Sequence, residues 1–251
     1  MDEFILLDEI EGRYSGILQD NLVGIYVHGS IAFRCFNWNK SDIDFVVVVK
    51  KPLTLEQKMK MISMILAETY SGPKKGFEMS VVLAEHCRHF VYPTPYELHF
   101  SNRYIDIATE DLKSYCESSH GVDKDLAAHF TIIKALGITI CGKSIDKVFG
   151  TIPKAAYLSS IKYDVKGAEG AVQSDPINVI LNLCRVMAYV QDEKILSKEG
   201  GGEWGIKHLP EVFQPLIKDA LECYKSYTKT MNPDPSLAKR FVQFMEDLIN
   251  Q

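Results

Sequence analysis

A chain of 251 residues with 46% hydrophobic and 24% charged side chains has the composition of an ordinary globular protein, which excludes fibrous, repeat and disordered architectures. Its formal charge of -5 gives no global attraction for a phosphate backbone, so nucleic acid is not an expected partner, while a cationic small molecule is tolerated. Met1-Asp2-Glu3 lacks the basic start of a secretory signal, no stretch reaches the length of a membrane span, and six scattered cysteines without a Cys-x-x-Cys pair suit reduced thiols; a cytoplasmic protein off the membrane, monomeric or weakly dimeric, is expected.

Phe4, Leu7, Ile10, Tyr14, Ile17 and Leu18 fall at helical spacing and predict an amphipathic helix over 4–18. Residues 22–28 and the valine-rich 44–49 read as strands, the second buried on both faces, with a loop of about a dozen residues between them. Leu55, Met59, Ile62, Leu66 and Tyr70 predict a helix over 54–70 that stops at Ser71-Gly72-Pro73, and a strand follows at 77–83. His86-Cys87-Arg88-His89 lacks the second ligand cluster that a four-coordinate zinc requires. Pro93 and Pro95 make 92–100 a loop with room for one short strand.

Beyond about residue 123 the strand signals give way to helical periodicity, with helices expected at 123–136, 154–169, 176–191, 211–230 and 236–249. Gly150-Thr151-Ile152-Pro153 is the expected seam. The fold class is therefore an α/β domain over 1–152, a mixed sheet flanked by helices, followed by an all-α helical bundle over 153–251.

Asp42 and Asp44 stand two apart at the start of a strand, which puts both carboxylates on one face. Such a pair can hold a hard cation such as Mg²⁺, although a solvated junction has the same spelling. Upstream, Gly29-Ser30 follows a strand where a helix can begin; glycine admits a close phosphate and serine adds a hydroxyl, unless Ser30 merely caps a turn. Strand, Gly-Ser, spacer, Asp-x-Asp and strand together are far more specific than either piece. Downstream, Asp175, Asn178, Asn182 and Arg185 draw a polar stripe along an otherwise apolar helix. Buried polar groups need partners, so the stripe either braces neighbouring helices or lines a cleft.

GSIAFRCFNWNKSDID resembles the signature of the nucleotidyltransferase superfamily. VYPTPYELHF, DLAAHFTIIKALGITICGKSIDKVFG and NVILNLCRVMAYVQDEKILSKEGGGEWGIKHLP resemble the adenylyltransferases that modify streptomycin and spectinomycin, so the likeness covers nearly the whole chain. The resemblance implies Mg²⁺ held by Asp42, Asp44 and Glu78, with Glu78 as general base. It implies ATP contacts at Gly29, Ser30, Ser41, Arg185, Lys198 and Tyr224, and acceptor contacts at Asp175, Asn178, Glu78 and Arg103. Residue by residue there are plainer readings: Glu78 as a solvated strand residue, Asp175 as a helix cap, Tyr224 as core, and Lys198 in a charged loop.

The implied reaction is transfer of AMP from ATP to a drug hydroxyl. Arg103 falls near the place where streptomycin-modifying members carry an aromatic, which favours spectinomycin, and the loop with Phe33, Phe36 and Trp38 is one residue longer than in the members it resembles. The rivals are the same chemistry on a metabolite, protein or tRNA, and a nucleotide-binding regulator without turnover.

Overall fold

In a computed structural model, residues 3–226 and 228–251 are described, and the chain forms two compact units, Met1–Ala156 and Tyr157–Gln251. The first unit opens with α1 (Glu3–Leu18), which buries Leu6, Leu7, Ile10, Tyr14 and Leu18, a stripe at helical spacing. Then follow β1 (Leu22–Val27), α2 (Gly29–Ala32), β2 (Ile43–Val49) and α3 (Leu55–Glu68). A capping box starts α3: the Thr54 hydroxyl accepts from Gln57 N, and the Gln57 side chain accepts from Thr54 N. The unit continues through β3 (Phe77–Leu83), α4 (Ala84–Arg88), β4 (Thr94–Tyr96), β5 (Leu98–Ser101), α5 (Ile105–Glu110), α6 (Leu112–Ser118), β6 (Gly121–Asp123), α7 (Leu126–Leu136), β7 (Ile138–Gly142) and α8 (Ile145–Val148).

Five strands form one mixed sheet in the order β5-β3-β2-β1-β7, with β2 and β3 parallel and the other pairs antiparallel. On one face Phe45, Val47 and Val49 pack with Leu7 and Ile10 of α1 and Ile62 of α3. On the other, Val46 and Val48 pack with Phe130 and Ile133 of α7 and with Phe149. The valine run of β2 is thus covered on both sides, and each such side chain contributes about 1.5–3 kcal/mol by leaving water.

The absence of strands expected beyond residue 123 is overturned by β7, which pairs antiparallel with β1 from Val27↔Ile138 to Gly24↔Gly142. It is a five-residue edge strand, only partly buried, too short for its period to be told from that of the helices around it. Residues 105–118, left unassigned by their pattern, form α5 and α6.

The second unit holds α9 (Lys154–Asp164) from Tyr157 on, then α10 (Ala168–Ala171), α11 (Pro176–Asp192), α12 (Lys198–His208), α13 (Gln214–Lys225) and α14 (Pro235–Ile249), with α11 packed against α12, α13 and α14. The helix expected over 154–169 stops at Asp164 and resumes after Gly167, whose φ of 86° is left-handed. The one expected over 211–230 begins with a 3-10 turn and ends at Lys225. The segment carrying Lys198 is a helix, not a loop. No helix among the described residues is long and apolar enough to cross a membrane.

Candidate active site

The β1–α2 junction is tied to β2 where His28 N donates to the Asp44 carbonyl at 3.0 Å. Gly29 follows with φ +59°, and a Cβ placed there would lie 1.7 Å from Asp44 Oδ2. Backbone angle and space both demand glycine. The next residue, Ser30, has its Oγ buried without a hydrogen-bond partner. That is an unusual state for a hydroxyl, and a phosphate oxygen would relieve it.

The parallel register sets Asp44 directly beside Glu78, and Asp42 lies two residues earlier on the same side. Ligand oxygens of Asp42, Asp44 and Glu78 all lie within 4.8 Å of one another. Three carboxylates so close repel each other and suit a hard divalent cation, so the donor set fits Mg²⁺.

Burial pushes the Glu78 carboxyl above the usual carboxylate range. His129 of α7 pulls it back, and Asp42, Asp125 and Asp123 push it up again. His129 Nε2 lies 3.9 Å from Glu78 Oε1. Behind it, the ring of His28 sits 4.3 Å from that of His129, tilted by 33°. His28 is 3% exposed, and burial, with His129 beside it, holds its pKa well below the ordinary value. Glu78 therefore sits on the α7-covered face of the sheet rather than in free solvent.

In the second unit the stripe of α11 acts as a brace. Asp175 stands at the cap position but makes no capping bond to the backbone; its two oxygens accept from Asn178 Nδ2 at 2.8 and 2.7 Å. Asn178 Oδ1 accepts from Lys198 Nζ at 3.0 Å. One turn on, Asn182 Nδ2 and Arg185 Nη2 both donate to Asp164 Oδ2, the latter at 3.4 Å. Tyr224 is 7% exposed on α13, so its ring is largely core. Ser41 is buried in the loop, its hydroxyl accepting from Asn37 N at 3.1 Å. Arg103 is exposed, 6.0 Å from the Tyr104 ring centroid, and Phe36 and Trp38 meet edge to face at 5.9 Å.

Several known proteins are similar to this chain. An Aminoglycoside (3'') (9) adenylyltransferase of Klebsiella pneumoniae is 22% identical, spanning 98% of this chain and 94% of its own length. A Spectinomycin 9-adenylyltransferase of Campylobacter jejuni is 23% identical over 83% of this chain and 80% of its own. Residues 147–247 match the family profile Aminoglycoside adenylyltransferase, C-terminal domain. The chain is thus similar to aminoglycoside adenylyltransferases over nearly its whole length, and its C-terminal part matches their family. Its fold is that of spectinomycin adenyltransferase AAD(9) from Enterococcus faecialis, whose crystal structure holds ATP and spectinomycin: the TM-score is 0.84 with 19% identity, over 99% of each chain.

For an aminoglycoside adenylyltransferase relative, sequence reading missed three polar residues that the structure brings into play: His28, His129 and Asp164. His28 was visible as the residue before Gly29-Ser30, and His129 as a polar residue bordering the buried Leu126–Phe130–Ile133 face. Asp164 had a subtler signal, a carboxylate in the last turn of a helix, where the dipole disfavours it.

Proposed function

We propose that this protein transfers AMP from ATP to a hydroxyl of an aminoglycoside or aminocyclitol, with spectinomycin favoured over streptomycin, and releases pyrophosphate. The convergence of Asp42, Asp44 and Glu78 within 4.8 Å carries the reading, because a pure nucleotide binder needs no third carboxylate. These residues would hold Mg²⁺, which when bound neutralises phosphate charge and orients the α-phosphate for displacement. Glu78 then accepts the proton of the acceptor hydroxyl on a carboxylate oxygen, the freed oxygen bonds the α-phosphorus, and pyrophosphate leaves.

The surroundings of Glu78 suit that task. Burial and neighbouring aspartates raise its affinity for a proton, and a cation in the cage works the other way, so its basicity is set by the balance. Ser30 Oγ supplies an unspent donor for a phosphate oxygen. Arg185 and Lys198 would supply cations for the triphosphate, with Ser41 and Tyr224 beside the nucleotide. Asp175 and Asn178 would meet a cationic acceptor, and Arg103, a cation in the aromatic's place, disfavours the guanidinium-rich streptomycin. ATP and Mg²⁺ are available in the cytoplasm, where cysteines outside disulfides, as all six are here, persist.

The test is incubation with ATP, Mg²⁺ and a panel of aminoglycosides and aminocyclitols, read by mass spectrometry for an added AMP. Spectinomycin is expected to gain it; if no panel member does, drug modification is ruled out. Glu78→Gln should lose turnover by at least about a hundredfold, the usual worth of a general base, while still binding ATP by calorimetry. Retained turnover would remove Glu78 from the mechanism.

A further inference from the structure

Asp164 is the last residue of α9, and Lys162 is the one basic residue of that turn. A carboxylate at a helix C-terminus faces the negative end of the dipole and is disfavoured there. Its position makes sense only through its partners: Oδ2 accepts from both Asn182 Nδ2 and Arg185 Nη2. The Arg185 charge also acts on Tyr157, which is 4% exposed. The tyrosine pKa is pushed up to about 12 by burial, with the Arg185 charge pulling against it. Tyr157 itself is wedged edge-on against Tyr189 at 4.5 Å.

The contact with Asp164 uses one of the guanidinium's five donors and leaves a planar fork for another anion. Asn182 is oriented by the same oxygen. Its Nδ2 is spent on Asp164, while its Oδ1 is buried with no partner, a strain on the amide that a random surface contact would not sustain. Asp164 therefore fixes two side chains of the α11 stripe through one oxygen, across elements separated by 21 positions in sequence.

We propose that Asp164 is a positioning residue for the nucleotide: itself anchored by Asn182, it holds the Arg185 guanidinium so that its remaining donors meet the triphosphate without first losing rotamer freedom. This rests on the reading of Arg185 as a triphosphate contact. A rival electrostatic account has the opposite sign, since an anion that merely competed with phosphate for Arg185 would weaken ATP binding and its removal would tighten it.

The experiment is calorimetric titration of the full chain with ATP and Mg²⁺, together with KM values for ATP and for the acceptor and a urea midpoint for each variant. Asp164→Ala is expected to weaken ATP binding about three- to fivefold, the range of a partly exposed ion pair, with the acceptor KM unchanged. Asp164→Asn, which keeps an acceptor oxygen but loses the charge, should recover only part of the loss and still bind ATP more weakly than the parent, which covers the case in which the alanine variant folds poorly. In the Arg185→Ala background, Asp164→Ala should cost nothing further. Unchanged or tighter ATP binding in both Asp164 variants overturns the proposal while leaving Arg185 in place. If Arg185→Ala itself leaves ATP affinity intact, the reading of Arg185 falls and the proposal with it.

Discussion

Gly29 and Ser30 are adjacent and answer to different forces. Gly29 is fixed by the fold, because its left-handed φ and the 1.7 Å approach to Asp44 Oδ2 leave no room for a side chain. Nothing in the fold requires the Ser30 hydroxyl, which is buried without a partner and so costs stability on the order of 1–3 kcal/mol as an unsatisfied group. Ser30→Ala should therefore leave the urea midpoint unchanged or raise it, while ATP affinity drops about tenfold for the loss of a hydrogen bond to a charged oxygen. Calorimetry and urea unfolding on one preparation decide between roles. A variant that is less stable but binds ATP normally would make Ser30 a structural residue.

At the scale of elements, α12 shows where sequence reasoning runs out. Its sequence KEGGGEWGIKH has four glycines, each unfavourable in a helix by about 1 kcal/mol against alanine, so local propensity reads it as a loop. Packing decides otherwise. A Cβ on Gly201 would lie 2.8 Å from the Arg185 backbone, and one on Gly202 2.7 Å from Leu181 and Leu221, whereas on Gly200 the nearest atom is 3.5 Å away. Close approach to α11 and α13 is what the glycines permit, and close approach cannot be read from one segment alone. Strand β2 is legible because both of its faces demand apolar residues, β3 because Phe77, Met79 and Val81 alternate with Glu78 and Ser80, and the Asp-x-Asp pair because strand period fixes its geometry. The short edge strand β7 and the His28–His129 stack were not, since each depends on a distant partner. The glycines give opposite signs on test. Gly200→Ala should stabilise by up to about 1 kcal/mol. Gly201→Ala should destabilise by about 1–3 kcal/mol as α12 is forced off α11, and thermal unfolding of the two variants measures the difference; equal effects would mean that propensity, not packing, governs α12.

For the molecule as a whole, the buried histidines tie stability to pH. His99 Nδ1 lies 3.0 Å from Ser80 Oγ, with Tyr96 and Tyr104 edge-on at 5.9 and 6.0 Å. Burial lowers its pKa to about 4, against Asp123, with His129 and Arg103 adding to the fall. Between the unfolded value near 6.5 and about 4, the unfolded chain binds a proton that the folded one refuses, so stability rises with pH across that window. The contribution is fully present above about pH 6.5 and is lost as pH falls toward 4. His28, lowered by its burial, acts in the same direction. Glu78 acts in the opposite one, because its raised carboxyl favours the folded state as pH falls. Comparing the parent with His99→Gln, which is neutral at every pH and can still bond Ser80, isolates one group from this mixture. Urea midpoints measured without Mg²⁺ at pH 7.5, 6.5 and 5 should show the parent losing about 1 kcal/mol more than the variant, once its partial exposure is allowed for. Parallel curves would mean that His99 is free to protonate in the folded state and that the Ser80 contact does not hold it neutral.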